Sequence, residues 1–259
     1  MPMCAVICTN KERDARFRNA LDSVVRPGDR ERHGIGMQKE KTLHAVLKAY
    51  EDPDTDHHEI PIGNYIADIY CEETASVTEI QTAGLGSLRG KLEAFLPYYR
   101  VTVVHPIPAE KWITWIDPQT GELKKRNRSP KKGTYYSALK ELYRISSYLD
   151  HPNLTIKLIL MDMEEYRLQD GWGREGKRGS HRYDRVPTRI VSELYLTEPR
   201  DYLQLIPYGI EEPFTAKELA KNCGIARTGF STEALIFRKM GVIEQVGKRG
   251  RAYLYRTVE

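Results

Sequence analysis

No apolar run in the 259-residue sequence approaches the roughly 20 residues that a membrane-spanning helix needs, so no membrane protein is expected. Cysteine is sparse: Cys4, Cys8, Cys71 and Cys223 are scattered and offer neither a disulfide framework nor a CxxC pair. Cys4 and Cys8 stand closest, but a zinc site would need two further ligands near them. Internal repeats are absent. The opening "MPMCAVICTN" is too short for a signal peptide and runs at once into charges, so a reduced, cytoplasmic protein is the expectation.

A large charge excess is missing too, since the formal net charge is only +4, which speaks to solubility rather than to a partner. The 40% hydrophobic and 29% charged composition is that of an ordinary soluble chain, long enough for one large domain or two smaller ones. Distribution says more than the total. "ELKKRNRSPKKG" (Glu122 to Gly133), "GREGKRGSHRYDR" (Gly173 to Arg185) and "GKRGRAYLYR" (Gly247 to Arg256) gather Lys and Arg at loop-like positions. One such run is a solvated face; the three together favour a polyanionic partner.

Residues 1–36 show little period and predict a short strand at Ala5 to Thr9 followed by a charged helix or arm. Leu43, Val46, Leu47 and Tyr50 then recur at helical spacing, and "EDPDTD" ends that helix. Strands are predicted around Tyr65 to Cys71 and Val77 to Thr82, joined by a polar turn into a hairpin. Gly84 and Gly86 lead into a helix carrying Leu88, Leu92, Phe95 and Leu96 on one face. A buried strand at Arg100 to Ile107, a hairpin turning at "DPQTGE", a helix in "YYSALKELYRISSYL" and a core strand in "LTIKLILMDMEEYR" follow. Helices alternating with strands predict an α/β fold with a mixed sheet. Residues 169–198 read as a basic linker or extension.

From Pro199 a last module is predicted: a helix at Thr215 to Asn222 opened by a Thr215/Glu218 capping box, a second helix at about Gly229 to Met240, and a strand hairpin closed by "GKRGR". Residues 199–259 thus resemble a winged helix-turn-helix, whose second helix can enter the major groove while the wing touches phosphates.

The hairpin carries the chemistry. Glu79 and Gln81 share one face of their strand because side chains alternate with period two. If Asp68 on the neighbouring strand reaches that face, two carboxylates meet and need a proton or a cation between them. A hard divalent ion such as Mg²⁺ suits such oxygens, and Glu40 on the preceding helix offers a third. This is the chemistry of metal-assisted phosphodiester hydrolysis.

A Glu-bearing helix, a strand with Asp68, a strand reading Glu79-Ile80-Gln81 and a basic helix together resemble the PD-(D/E)XK nuclease superfamily over residues 37–168. The resemblance implies a restriction-endonuclease-like mixed sheet flanked by helices, with the small winged-helix domain behind it. It implies Mg²⁺, with Mn²⁺ as substitute, held by Asp68, Glu79 and the Ile80 carbonyl, with Glu40 matching the helix Glu of some members. It also implies a DNA substrate, duplex or branched, cut by one subunit or a homodimer. Two positions depart from the common pattern: Ala67 precedes Asp68 where Pro is usual, and Gln81 replaces Lys. A Gln orients a water but supplies no charge, which leaves Arg89 or Lys91 on the next helix to provide it.

Lys111, Lys131 and Lys132 are further candidates for phosphate contact, as are Arg238 on the second helix of the C-terminal module and Lys248, Arg249 and Arg251 on its wing. Simpler readings stand beside these. Asp68 can be a strand-end cap and Glu79 with Gln81 a solvated face; His105 reads as a hydrogen-bonded histidine, and Trp112 and Trp115 as packing residues. A nuclease fold without catalysis, serving as a DNA-binding regulator, is the alternative function, and a winged helix can also bind protein.

Overall fold

A computed structural model describes residues 10–25, 41–169, 181–224 and 230–258. Along the chain run α1 (Asn10–Val24), α2 (Thr42–Glu51), β1 (His58–Ile62), β2 (Tyr65–Cys71), β3 (Ser76–Ile80), α3 (Arg89–Phe95), β4 (Arg100–Ile116) and β5 (Asn127–Arg128). Then follow α4 (Leu139–Tyr143), β6 (Leu154–Leu168), β7 (His181–Leu196), β8 (Phe214–Thr215), α5 (Ala216–Asn222), α6 (Phe230–Lys239), β9 (Ile243–Arg249) and β10 (Ala252–Thr257). The fold is α/β. Its larger sheet is ordered β1-β2-β3-β4-β6-β7 with β5 on β4, and it is mixed: β2 and β3 are antiparallel, β3 and β4 parallel. No described helix is long and apolar enough to cross a membrane.

The described residues divide into two compact units, to both of which β4, β6 and β7 contribute. The first takes in residues up to His58, Pro108–Lys132 and Met161–Ser192. In it α2 buries Leu43, Val46, Leu47 and Tyr50, the four apolar positions of the helical stripe. Phe17 of α1 meets the Tyr50 ring edge-on at 6.1 Å. Asp184 of β7 accepts from the Thr42 hydroxyl at 2.5 Å and so fixes the start of α2.

The second unit takes in Glu59–Ile107, Gly133–Leu160 and Glu193–Glu259. One apolar cluster joins Val77, Leu92, Phe95 and Val103 with Leu139, Leu142, Leu158, Phe214, Phe237 and Met240. Phe214, Leu219, Phe237 and Met240 thus share a core with α3 and α4, and Lys239 at the end of α6 donates to the Ser146 carbonyl and, at 2.8 Å, to Asp150. Helices α5 and α6 and the β9–β10 hairpin follow in the order read from the sequence, and the short β8, which that reading did not include, adds a third strand on β10. The capping box is present: Glu218 N donates to Thr215 Oγ1 at 3.2 Å and Thr215 N to Glu218 Oε2 at 2.7 Å.

Three elements differ from expectation. β4 continues without a break from Arg100 to Ile116, uniting the predicted strand with the first arm of the hairpin. The helix expected across residues 135–149 is regular only over Leu139–Tyr143, with a 3₁₀ turn before it. Within the stretch read as a linker, β7 spans His181–Leu196 at the end of the sheet order. Pro187 and the interspersed charges hide its alternation, and an edge strand is where a strand proline is tolerated. The Ala5 to Thr9 strand, the basic run's glycine-rich part at 173–180 and Glu40 lie outside the described residues.

Candidate active site

In the antiparallel pair of β2 and β3, Ile69 stands opposite Thr78 and Tyr70 opposite Val77. One step along that register sets Asp68 opposite Glu79, and directly opposed residues share a face with Cβ atoms roughly 5 Å apart. The hairpin therefore brings together the two carboxylates that the sequence pairs. Asp68 Oδ2 accepts from the Ile80 amide at 2.7 Å, which holds its carboxylate across the strand gap.

Glu79 is 2% exposed. Its Oε2 accepts from Lys91 Nζ at 2.6 Å, while Oε1 is buried with no hydrogen-bond partner among the described residues. Burial, then the negative charge of Asp68, pushes the Glu79 carboxyl up to about 7, against the hydrogen bond and charge of Lys91. A core position occupied by an acid with one orphaned oxygen is costly unless something further satisfies it.

Lys91 brings an ammonium to the Glu79 carboxylate. Arg89, the other candidate for that charge, donates instead to the Arg144 carbonyl at 2.7 Å. Gln81 is more constrained than a free water-orienting amide: its Nε2 donates to the Ala83 carbonyl and, at 3.1 Å, to Ser87 Oγ. Gly84, at φ +68°, gives the intervening turn its left-handed residue. The Gln81 side-chain nitrogen thus pins the entry to α3, leaving its Oε1 as the acceptor that can meet a water.

The parallel pairing of β3 with β4 fixes this corner, with Glu79 opposite Val103 and the Gln81 amide donating to the Val104 carbonyl at 2.9 Å. His105 lies at 2.7 Å from the Gln81 carbonyl through Nδ1. A carbonyl only accepts, so that nitrogen carries the proton and the histidine is a hydrogen-bonded strand residue.

The other phosphate candidates have surroundings of their own. Lys111 bonds Glu165 at 3.0 Å, Lys132 approaches Glu110 at 3.4 Å and Lys131 is exposed, all within the first unit. Arg238 is exposed on α6, Lys248 stands 4.9 Å above the Tyr253 ring, and Arg251 is exposed at the β9–β10 turn. Arg249 is tied to Glu218 at 2.7 Å and to the Pro213 carbonyl at 3.2 Å.

Among the described residues no three His, Cys, Asp or Glu side chains converge as a metal cage. Two opposed carboxylates, one with an orphaned buried oxygen, nevertheless fit a hard divalent cation, which takes oxygen ligands and keeps several waters.

Residues 41–197 match the model of a domain of unknown function, DUF8091. The chain belongs to that family. An uncharacterized protein of Treponema pallidum (strain Nichols) is 28% identical over 222 residues, which cover 86% of this chain and 87% of that protein. No solved structure matches. The family region contains Asp68, Glu79, Gln81 and Lys91 and ends before β8.

Proposed function

We propose that this chain is a metal-dependent DNA endonuclease resembling the PD-(D/E)XK superfamily, with a restriction-endonuclease-like core and a winged-helix-like module at residues 199–259. The observation that carries the reading is the Glu79 carboxylate, buried opposite Asp68 with one oxygen on Lys91 and the other unpartnered. Asp68 and Glu79, with the Ile80 carbonyl, would hold Mg²⁺ or Mn²⁺. Such an ion supplies charge neutralisation on the phosphate and a water acidic enough to lose a proton near neutral pH. Lys91 draws the Glu79 carboxyl down against burial and the repulsion of Asp68, so that it titrates at about 7 rather than higher. Gln81 Oε1 accepts from the attacking water, and its Nε2 holds the turn that carries α3 in place. Arg238, Lys248 and Arg251 would bear on the phosphates of duplex or branched DNA.

The test is incubation with supercoiled plasmid and with labelled linear and branched DNA in Mg²⁺, Mn²⁺ or EDTA, alongside Glu79→Ala. Metal-dependent nicks that vanish in the variant are expected. Cleavage that persists unchanged in Glu79→Ala would remove the site.

A second reading, a DNA-binding regulator on a nuclease-like scaffold, draws on the pinned amide of Gln81 and the two-carboxylate donor set. It entails DNA binding without products and a melting temperature that ignores Mg²⁺, whereas the first entails a rise on adding the ion.

A further inference from the structure

Glu165 on β6 is 1% exposed and is met by three cations: Lys111 Nζ at 3.0 Å, Arg167 Nε at 2.5 Å and Arg182 Nε at 3.5 Å. A fourth, Arg185, acts on Glu165 and Arg182 through its charge, and its buried Nε has no hydrogen-bond partner among the described residues. Asp184, whose carboxylate oxygens accept from the Thr42 amide and hydroxyl and from the Arg185 amide, offsets only part of this charge, which leaves four cations against two carboxylates. Burial, then the neighbouring Arg182 charge, lowers the Arg185 guanidinium to about 10, against the charges of Glu165 and Asp184. The side chains of Arg182 and Arg167 remain 42% and 30% exposed, so the surplus charge is open to solvent. Arg167 also stands 5.9 Å above the Trp115 ring, which sets an aromatic surface beside the cations.

We infer that Lys111, Arg167, Arg182 and Arg185 form a second phosphate-binding site, one that takes the backbone of a nucleic-acid strand with Trp115 at its margin. Forked guanidinium groups match phosphate oxygens bidentately, and the exposed Arg182 and Arg167 are the ones a phosphate can reach. All of these residues lie in the first unit, whereas the Asp68–Glu79 pair lies in the second. The inference does not depend on cleavage.

The test is fluorescence anisotropy of a labelled oligonucleotide in EDTA across a salt series, so that loss of metal-dependent cutting cannot be mistaken for loss of binding. Arg182→Gln/Arg185→Gln is expected to weaken binding at least about tenfold and to flatten the log Kd against log salt slope by about 1.5. Glu165→Gln removes a buried anion that these cations share, and binding is expected to tighten. Should the double variant fail to fold, Arg182→Gln alone, at an exposed side chain, gives the same reading with a slope change of about 0.8. Wild-type affinity and slope in the folded arginine variants, with no tightening in Glu165→Gln, would make the cluster an internal ion network and overturn the inference.

Discussion

Glu79 and Glu165 are equally buried acids whose surroundings drive them in opposite directions. Glu79 has one bonded lysine, a second carboxylate opposite and an orphaned oxygen, and its carboxyl rises to about 7. At Glu165 burial also pushes upward, but the hydrogen bonds and charges of Lys111 and Arg167 outweigh it and hold the carboxyl below its ordinary value. Burial alone therefore does not decide the charge state of a buried acid; the count of neighbouring cations does. The first site is short of positive charge and the second has a surplus, which is why a cation is proposed for the one and an anion for the other.

The largest expected effect tests the cation side. Asp68→Ala or Glu79→Ala should lower Mg²⁺-dependent cleavage at least about a hundredfold, measured on plasmid, while oligonucleotide affinity in EDTA stays near wild type. Lys91→Met removes the only cation bonded to Glu79 among the described residues. The Glu79 carboxyl should then rise above about 7, and the pH–rate profile of cleavage should move to higher pH by a unit or more, roughly tenfold in rate at neutral pH. An unmoved profile would detach Lys91 from the site.

Stability against pH separates the two acids by sign. A carboxyl whose folded value is raised stabilises the fold fully below its unfolded value of 4.5 and loses that contribution as pH climbs through about 7. At about 1.4 kcal/mol per unit this amounts to about 3 kcal/mol for Glu79. Glu79→Gln in EDTA should therefore melt higher than wild type at pH 8 and alike at pH 5. Glu165 runs the other way, its contribution present above the ordinary carboxylate value and lost in acid. Glu165→Gln should melt lower at pH 8, by about 1–3 kcal/mol in chemical unfolding. Shifts of the same sign in both variants would dissolve the contrast.

What the sequence discloses follows from this contrast as well. Leu43, Val46, Leu47 and Tyr50 announce their helix because one face is buried. Asp68 and Glu79 announce theirs because a short hairpin leaves few registers and period two fixes the shared face. The capping box of α5 is legible for the same local reason. Gln81 is legible as a face but not as a bond: its hold on Ala83 and Ser87 depends on how the turn folds back. Glu165 stays hidden, since it reads as one charge in a core strand while its partners arrive from residues 111, 167 and 182. Residues on β7 are obscured further by Pro187 and by basic side chains that suit a linker equally well.

The smallest expected effect is the sharpest probe of redundancy. Lys111→Met takes away one of three cations bonded to Glu165, and Arg167 and Arg182 remain to hold the charge. The change should therefore cost no more than about 1 kcal/mol in urea unfolding, with the acid limb of the stability curve moved only slightly. Lys91→Met at Glu79 has no such reserve, and at pH 8 its cost should be plainly larger than at pH 6, where the acid can take a proton instead. If both lysine variants respond alike at both pH values, Glu79 has a further cation close by, and the case for a divalent ion at Asp68 and Glu79 loses its footing.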